Sequence, residues 1–194
     1  MTVPGRTNRW SAGRVGWLVL LAGCASGAGG GATASRDPAV ISIMTAGGEN
    51  WEINRGADVR LNQAITVTRD EAWAALPGVF EDLDIKTDVV DVPTRRIGAS
   101  QHRFGSRILN RDASDFFDCG MDSGLNAPLA GRMPINAQVI TEVVAVGVGA
   151  ELRTTVQGTA RRSGGNAGVA TCRSTGLMEV LVAQMVEKAA ASPG

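Results

Sequence analysis

Residues 139–160, VITEVVAVGVGAELRTTVQGTA, decide the fold class. Val139 to Val146 and Leu152 to Ala160 are strand-like runs, and Gly147 and Gly149 supply the turn that joins them. A third run, Gly168 to Arg173, follows the turn signal Ser163-Gly164-Gly165-Asn166, so the three predict an antiparallel meander. Beyond it the period changes. Leu177, Leu181, Met185 and Val186 fall on one side of a helix with Val180 and Val182 flanking them; Ser174 is the expected cap, and the helix is expected to end near Ala190 before Pro193. A sheet followed by an amphipathic helix must bury the two apolar faces against each other.

Working back from the meander, Val40, Ile41, Ile43 and Met44 read as a short strand ended by Gly47 and Gly48. Glu49 to Ala57 has no clean period and is expected to be loop. From Val59 to Thr68 apolar and polar residues alternate, the pattern of a half-buried strand. Thr68 stands three residues before Glu71, a capping box that opens a helix with Trp73, Leu76, Phe80 and Leu83 on one stripe. Pro77-Gly78 should kink or break that helix. Trp73 falls in the core pattern. Ile85 to Val92 and Arg95 to Phe104 predict two strands turning at Pro93-Thr94, Ile108 to Phe117 a short helix, and Met121 to Pro134 a turn-rich run.

Composition narrows the function. Formal net charge is zero, aromatic residues make up 4% of the 194 residues and there is no tyrosine, which argues against a nucleic-acid or base-stacking surface. His102 is the only histidine, and although Ser100 and Ser106 are near it, the Gly-x-Ser-x-Gly elbow of a serine hydrolase is absent. Asp115, Asp118 and Asp122 do not have the spacing of a hand-type calcium loop. Arg95, Arg96, His102, Arg103, Arg107 and Arg111 form a basic run, expected as a solvated sheet face or, in the sharper reading, a site for an anionic head group or polymer. No catalytic, cofactor-binding or metal-ligating residue can be named.

The N-terminal region carries an address. Arg6, Arg9 and Arg14 precede an apolar run from Val15 to Ala22, the order of an export signal. Its eight or so apolar residues would reach about 12 Å as a helix, far short of the roughly 30 Å hydrocarbon layer. The run ends in Leu21-Ala22-Gly23-Cys24, and here the chain resembles the precursors of bacterial lipoproteins, whose lipobox has this pattern. The resemblance implies that residues 1–23 are a signal peptide, that Cys24 becomes the lipidated first residue, and that this anchor is the link to a membrane. Ala25 follows, where an aspartate favours inner-membrane retention in enterobacterial lipoproteins, so the resemblance points to the periplasmic face of the outer membrane. Two or three acyl chains, at about 0.8 kcal/mol per buried methylene, hold a protein permanently. With Cys24 lipidated, Cys119 and Cys172 remain as a pair in an oxidising compartment and are expected to form a disulfide.

The resemblance makes residues 24–38 the lipidated cysteine and a Gly/Ala/Ser-rich tether, and residues 39–192 are expected to form one α+β domain, a curved antiparallel sheet packed by a kinked helix and a C-terminal helix. The order of elements, the lipobox and the Trp73 helix are similar to those of BamC-like helix-grip lipoproteins, components of the outer-membrane barrel assembly machine. That resemblance implies a non-enzymatic, membrane-anchored binding or scaffolding module that meets an envelope protein partner in outer-membrane assembly. The alternative is a periplasmic carrier holding a lipid or other apolar ligand between the sheet and the C-terminal helix.

Overall fold

The computed structural model of the protein describes residues 40–54, 62–122, 124–161 and 168–192. In chain order the first strands are β1 (Val40–Met44), β2 (Asn50–Asn54) and β3 (Asn62–Ile65), followed by helix α1 (Arg69–Asp82) and strands β4 (Val89–Asp91) and β5 (Arg96–Phe104). Five two-residue strands come next: β6 (Arg107–Ile108), β7 (Arg111–Asp112), β8 (Phe117–Asp118), β9 (Met121–Asp122) and β10 (Ala127–Pro128). A single 3-10 turn, Ala113–Asp115, sits between β7 and β8. The last third holds β11 (Ile135–Val146), β12 (Gly149–Arg161), β13 (Val169–Ser174) and α2 (Leu177–Ala191).

The opening stretch became the two longest strands. β11 and β12 pair antiparallel over their whole length, from Ile135 opposite Ala160 to Val146 opposite Gly149. Around this ladder a seven-stranded antiparallel sheet runs in the order β4-β5-β11-β12-β13-β8, and β3 shares the outer edge of β12 with β13. β3 pairs with Ala150–Arg153 and β13 with Gln157–Arg161. The fold is therefore α+β, with two helices on an open antiparallel sheet.

Alternation along β12 sets which side is covered. Ala150, Leu152, Thr154, Val156 and Ala160 are buried, while Arg153, Thr155, Gln157, Thr159 and Arg161 are exposed. Across the ladder Val139, Thr141 and Val143 face the same way as Val156, Thr154 and Leu152, and α1 and α2 close that side with Leu76, Val79, Phe80, Leu181, Met185 and Val186. Each fully buried side chain of this size contributes roughly 1.5–3 kcal/mol. Within the core lies a polar pair, Thr141 and Thr154, whose hydroxyls are 2.9 Å apart and share one hydrogen bond.

The α1 capping box is present: the Thr68 hydroxyl accepts from the Glu71 N–H, and the Glu71 carboxylate accepts from the Thr68 N–H at 2.9 Å. The helix then runs unbroken through Pro77 to Asp82, so of the kink or break expected at Pro77-Gly78 the break does not occur. Pro77 and Gly78 lie on the solvent side, where water can bond the carbonyl that proline leaves unpaired, and Leu76, Val79 and Phe80 hold the inner side.

Three further expectations are corrected. Residues 50–54 are a strand and not a loop, because β2 is held by its pairing with β1 and by Trp51 resting on the core. Ile108 to Phe117 is a β6–β7 hairpin with the 3-10 turn and the start of β8, not a helix. Ser174 ends β13, and the helix N-cap is Gly176 at φ 89°; the Ser174 hydroxyl still accepts the Gly176 N–H at 2.9 Å, one step outside the cap. The expected strand from Val59 is described only from Asn62, and residues 55–61 and the turn at 163–166 lie outside the described residues.

Candidate functional site: the helix-free face of the sheet

Helices cover one face of the sheet, and the strand register places a set of exposed side chains in rows on the other. One row runs Arg103, Asn136, Thr159, Thr171 across β5, β11, β12 and β13. The next runs Gln138, Gln157, Arg173, and a third pairs Arg161 with Val169. A fourth, nearer the β11–β12 turn, is charged with alternating sign: Arg96, Glu142, Arg153, Asn62. The amide and hydroxyl rows floor a trough of about 1010 Å³, with Arg161 and Arg173 in its wall. Its lining contains no aromatic ring, so it offers hydrogen bonds and positive charge and no stacking platform.

Beside the trough the sheet edge has a gap. Thr154, Thr155 and Val156 of β12 pair with neither β3 nor β13, and a second hollow of about 410 Å³ opens there, lined by Arg96, Glu142, Arg153 and the side of Glu179. Glu179, in the first turn of α2, is wholly buried. One carboxyl oxygen accepts the Ser174 hydroxyl at 2.7 Å and the other has no hydrogen-bond partner. Loss of hydration on burial raises its pKa above the ordinary carboxylate value, and the Ser174 hydrogen bond opposes that rise.

The residues singled out in the sequence fall in different places. Cys24 lies outside the described residues. Cys119 and Cys172 form a disulfide that ties the segment after β8 to β13. The basic run is scattered. Arg95 pairs with Asp70 at 2.9 Å and stands 5.5 Å from the Trp73 ring, Arg111 pairs with Asp115, Arg107 bonds the Asn110 carbonyl, and only Arg96 and Arg103 reach the open face. Trp73 is half-buried against the core.

His102 was expected among the basic residues on the strand's polar face, but the register of β5 against β11 shifts between Val139 and Ala137. The bulge adds one residue to β5, which turns His102 to the face of Ala99 and Phe104, its ring 4.4 Å from that of Phe104. Partial burial there lowers its pKa; Asp84 opposes the shift and Lys86 adds to it. Ser100, the nearest hydroxyl in sequence, donates instead to Asp88 at 2.6 Å.

Sequence reasoning missed the trough, although its signal was in the opening stretch. From Arg153 to Arg161 every second residue is Arg, Thr or Gln, so the outward face of the longest strand is polar throughout. No protein-family model, no curated protein and no solved structure matches the chain. Fold and site together define an α+β domain with a one-sided sheet and a polar, guanidinium-walled open face.

Proposed function

We propose that the protein is a membrane-anchored, non-enzymatic binding module of the cell envelope, tethered by lipid on Cys24 and engaging a partner protein through the open face of its sheet. The observation that carries this reading is the trough itself. Four strands present amides, hydroxyls and guanidiniums outward in register, and among the described residues no helix or loop is packed over them. The lipobox supports the address, and the helix-grip resemblance, with its link to outer-membrane assembly, supplies the expected setting.

The carrier alternative has less support. Between the sheet and α2 the space is filled by Leu152, Val156, Met178, Leu181 and Val186, each at most 6% exposed, where an apolar ligand would need a cavity of several hundred Å³.

Site-specific photo-crosslinking in intact cells tests the proposal, with the probe at Thr159 in the trough or at Ala74 on the exposed side of α1, in wild type and in Cys24→Ala. The expected result is a discrete adduct from Thr159 only, weakened when the anchor is removed. Equal capture from both positions, or none from Thr159, overturns it. Intact-mass analysis of the membrane fraction gives the second readout: an acylated chain beginning at Cys24 is expected, and a chain keeping Met1 without fatty acid defeats the anchor.

A further inference from the structure

We infer that the trough takes an extended acidic peptide segment of the partner, with carboxylates four residues apart seated on Arg161 and Arg173 and the peptide's amides on the Gln and Thr rows between them. This rests on the binding-module reading and names the chemistry of what is bound.

The spacing comes from the register. Arg161 is opposite Val169 and Gln157 is opposite Arg173, so the two guanidinium-bearing positions are separated by four residues of one antiparallel ladder. At about 3.3 Å per residue this is roughly 13 Å, which is also the separation of side chains i and i+4 on one face of an extended chain. A ligand strand lying along β12 and β13 therefore meets both arginines with the same face. Between them Thr159 and Thr171, and beside Arg173 the amide of Gln157, offer donors and acceptors that match the alternating N–H and C=O groups of a peptide backbone.

Charge points the same way. Among the described residues neither Arg161 nor Arg173 has a carboxylate within ion-pair distance, whereas Arg95, Arg111 and Arg153 do. Asp118 faces Arg173 across the β8–β13 pairing, but one of its oxygens accepts the Gly120 N–H instead. The trough thus presents two guanidiniums without an ion-pair partner among the described residues, Arg173 with Asp118 as its cross-strand neighbour and Arg161 opposite the apolar Val169, and guanidinium is the group that holds carboxylates in a fixed two-pronged geometry. The absence of aromatic rings in the lining disfavours sugar rings and bases relative to a peptide.

The test is calorimetric titration of the purified full-length protein with three probes: acetyl-Glu-Ser-Thr-Ser-Glu-amide, its counterpart with both Glu replaced by Gln, and polygalacturonate. The expected result is that the diglutamate peptide binds, that affinity falls steeply with added salt, and that Arg161→Gln or Arg173→Gln each weakens it by about tenfold. Both arginines are exposed and make no ion pair among the described residues, so the variants should keep the wild-type circular dichroism spectrum. The inference is overturned if the diglutamine peptide binds equally, if the variants bind like wild type, if polygalacturonate binds while the peptide does not, or if no heat is seen up to about 5 mM peptide. Capture at Thr159 with no peptide binding would retire the acidic segment and leave the binding face standing; failure of both would retire both.

Discussion

Two buried polar residues set the finest energetic choices in the core. The Thr141 and Thr154 hydroxyls satisfy each other beneath the helices, so Thr141→Val alone should orphan the Thr154 hydroxyl and cost about 1–3 kcal/mol, while Thr141→Val with Thr154→Val should be close to neutral. Chemical denaturation of both variants separates the two outcomes. Glu179 behaves differently because its pKa is raised in the fold by burial. A group whose folded pKa is above its unfolded value gives stability that is complete below the unfolded value, here 4.5, and is lost as pH rises through the folded value. Melting temperatures measured from acid to neutral pH should therefore show a falling contribution in wild type that Glu179→Gln removes. Glu71, Asp88 and Asp91, whose pKa values are lowered by hydrogen bonds from Thr68, Ser100 and Thr94, act with the opposite sign and are common to both proteins. The difference between the two profiles isolates Glu179.

At the scale of elements, the sheet depends on one close approach. A Cβ at Gly98 in β5 would stand 2.0 Å from the Val139 carbonyl oxygen of β11, and its φ of 156° is one that side chains rarely adopt. Gly98→Ala should push β5 from β11 and lower stability by several kcal/mol, read as a shifted denaturation midpoint; the exposed Gly78→Ala in α1 should leave stability unchanged or slightly raised. Long elements were legible in advance for a physical reason: β11, β12, α1 and α2 each repeat their pattern enough times for the period to stand out. Two-residue strands such as β6 and β7 contain no period, and β2 owes its form to its β1 partner. His102 was misplaced because a single inserted residue reverses every side chain beyond it, and composition carries no mark of that insertion.

For the molecule as a whole, the disulfide closes a long covalent loop. Cys119 and Cys172 are 53 residues apart, and linking them stabilises by about 4 kcal/mol in the chain-entropy model. Reduction, or Cys119→Ala with Cys172→Ala, should lower the melting temperature by on the order of 10 °C, measured against the untouched protein in the same buffer. The sequence made the cysteine pairing visible through the address it implied, and the α+β architecture through its long elements. The trough stayed hidden because a binding face is an arrangement of outward residues from several strands, and only the pairing register brings Asn136, Gln157 and Arg173 together.

One strand has a consequence for the order of events during synthesis. β12 is the seam on which β3, from early in the chain, and β13, from near its end, are both stitched. A ribosome that has released residues up to Val148 has emitted β3 and β11 without the strand that joins them. The nascent polypeptide must therefore wait in an unfinished state until its final quarter emerges, with the two edges of that seam left open in the meantime.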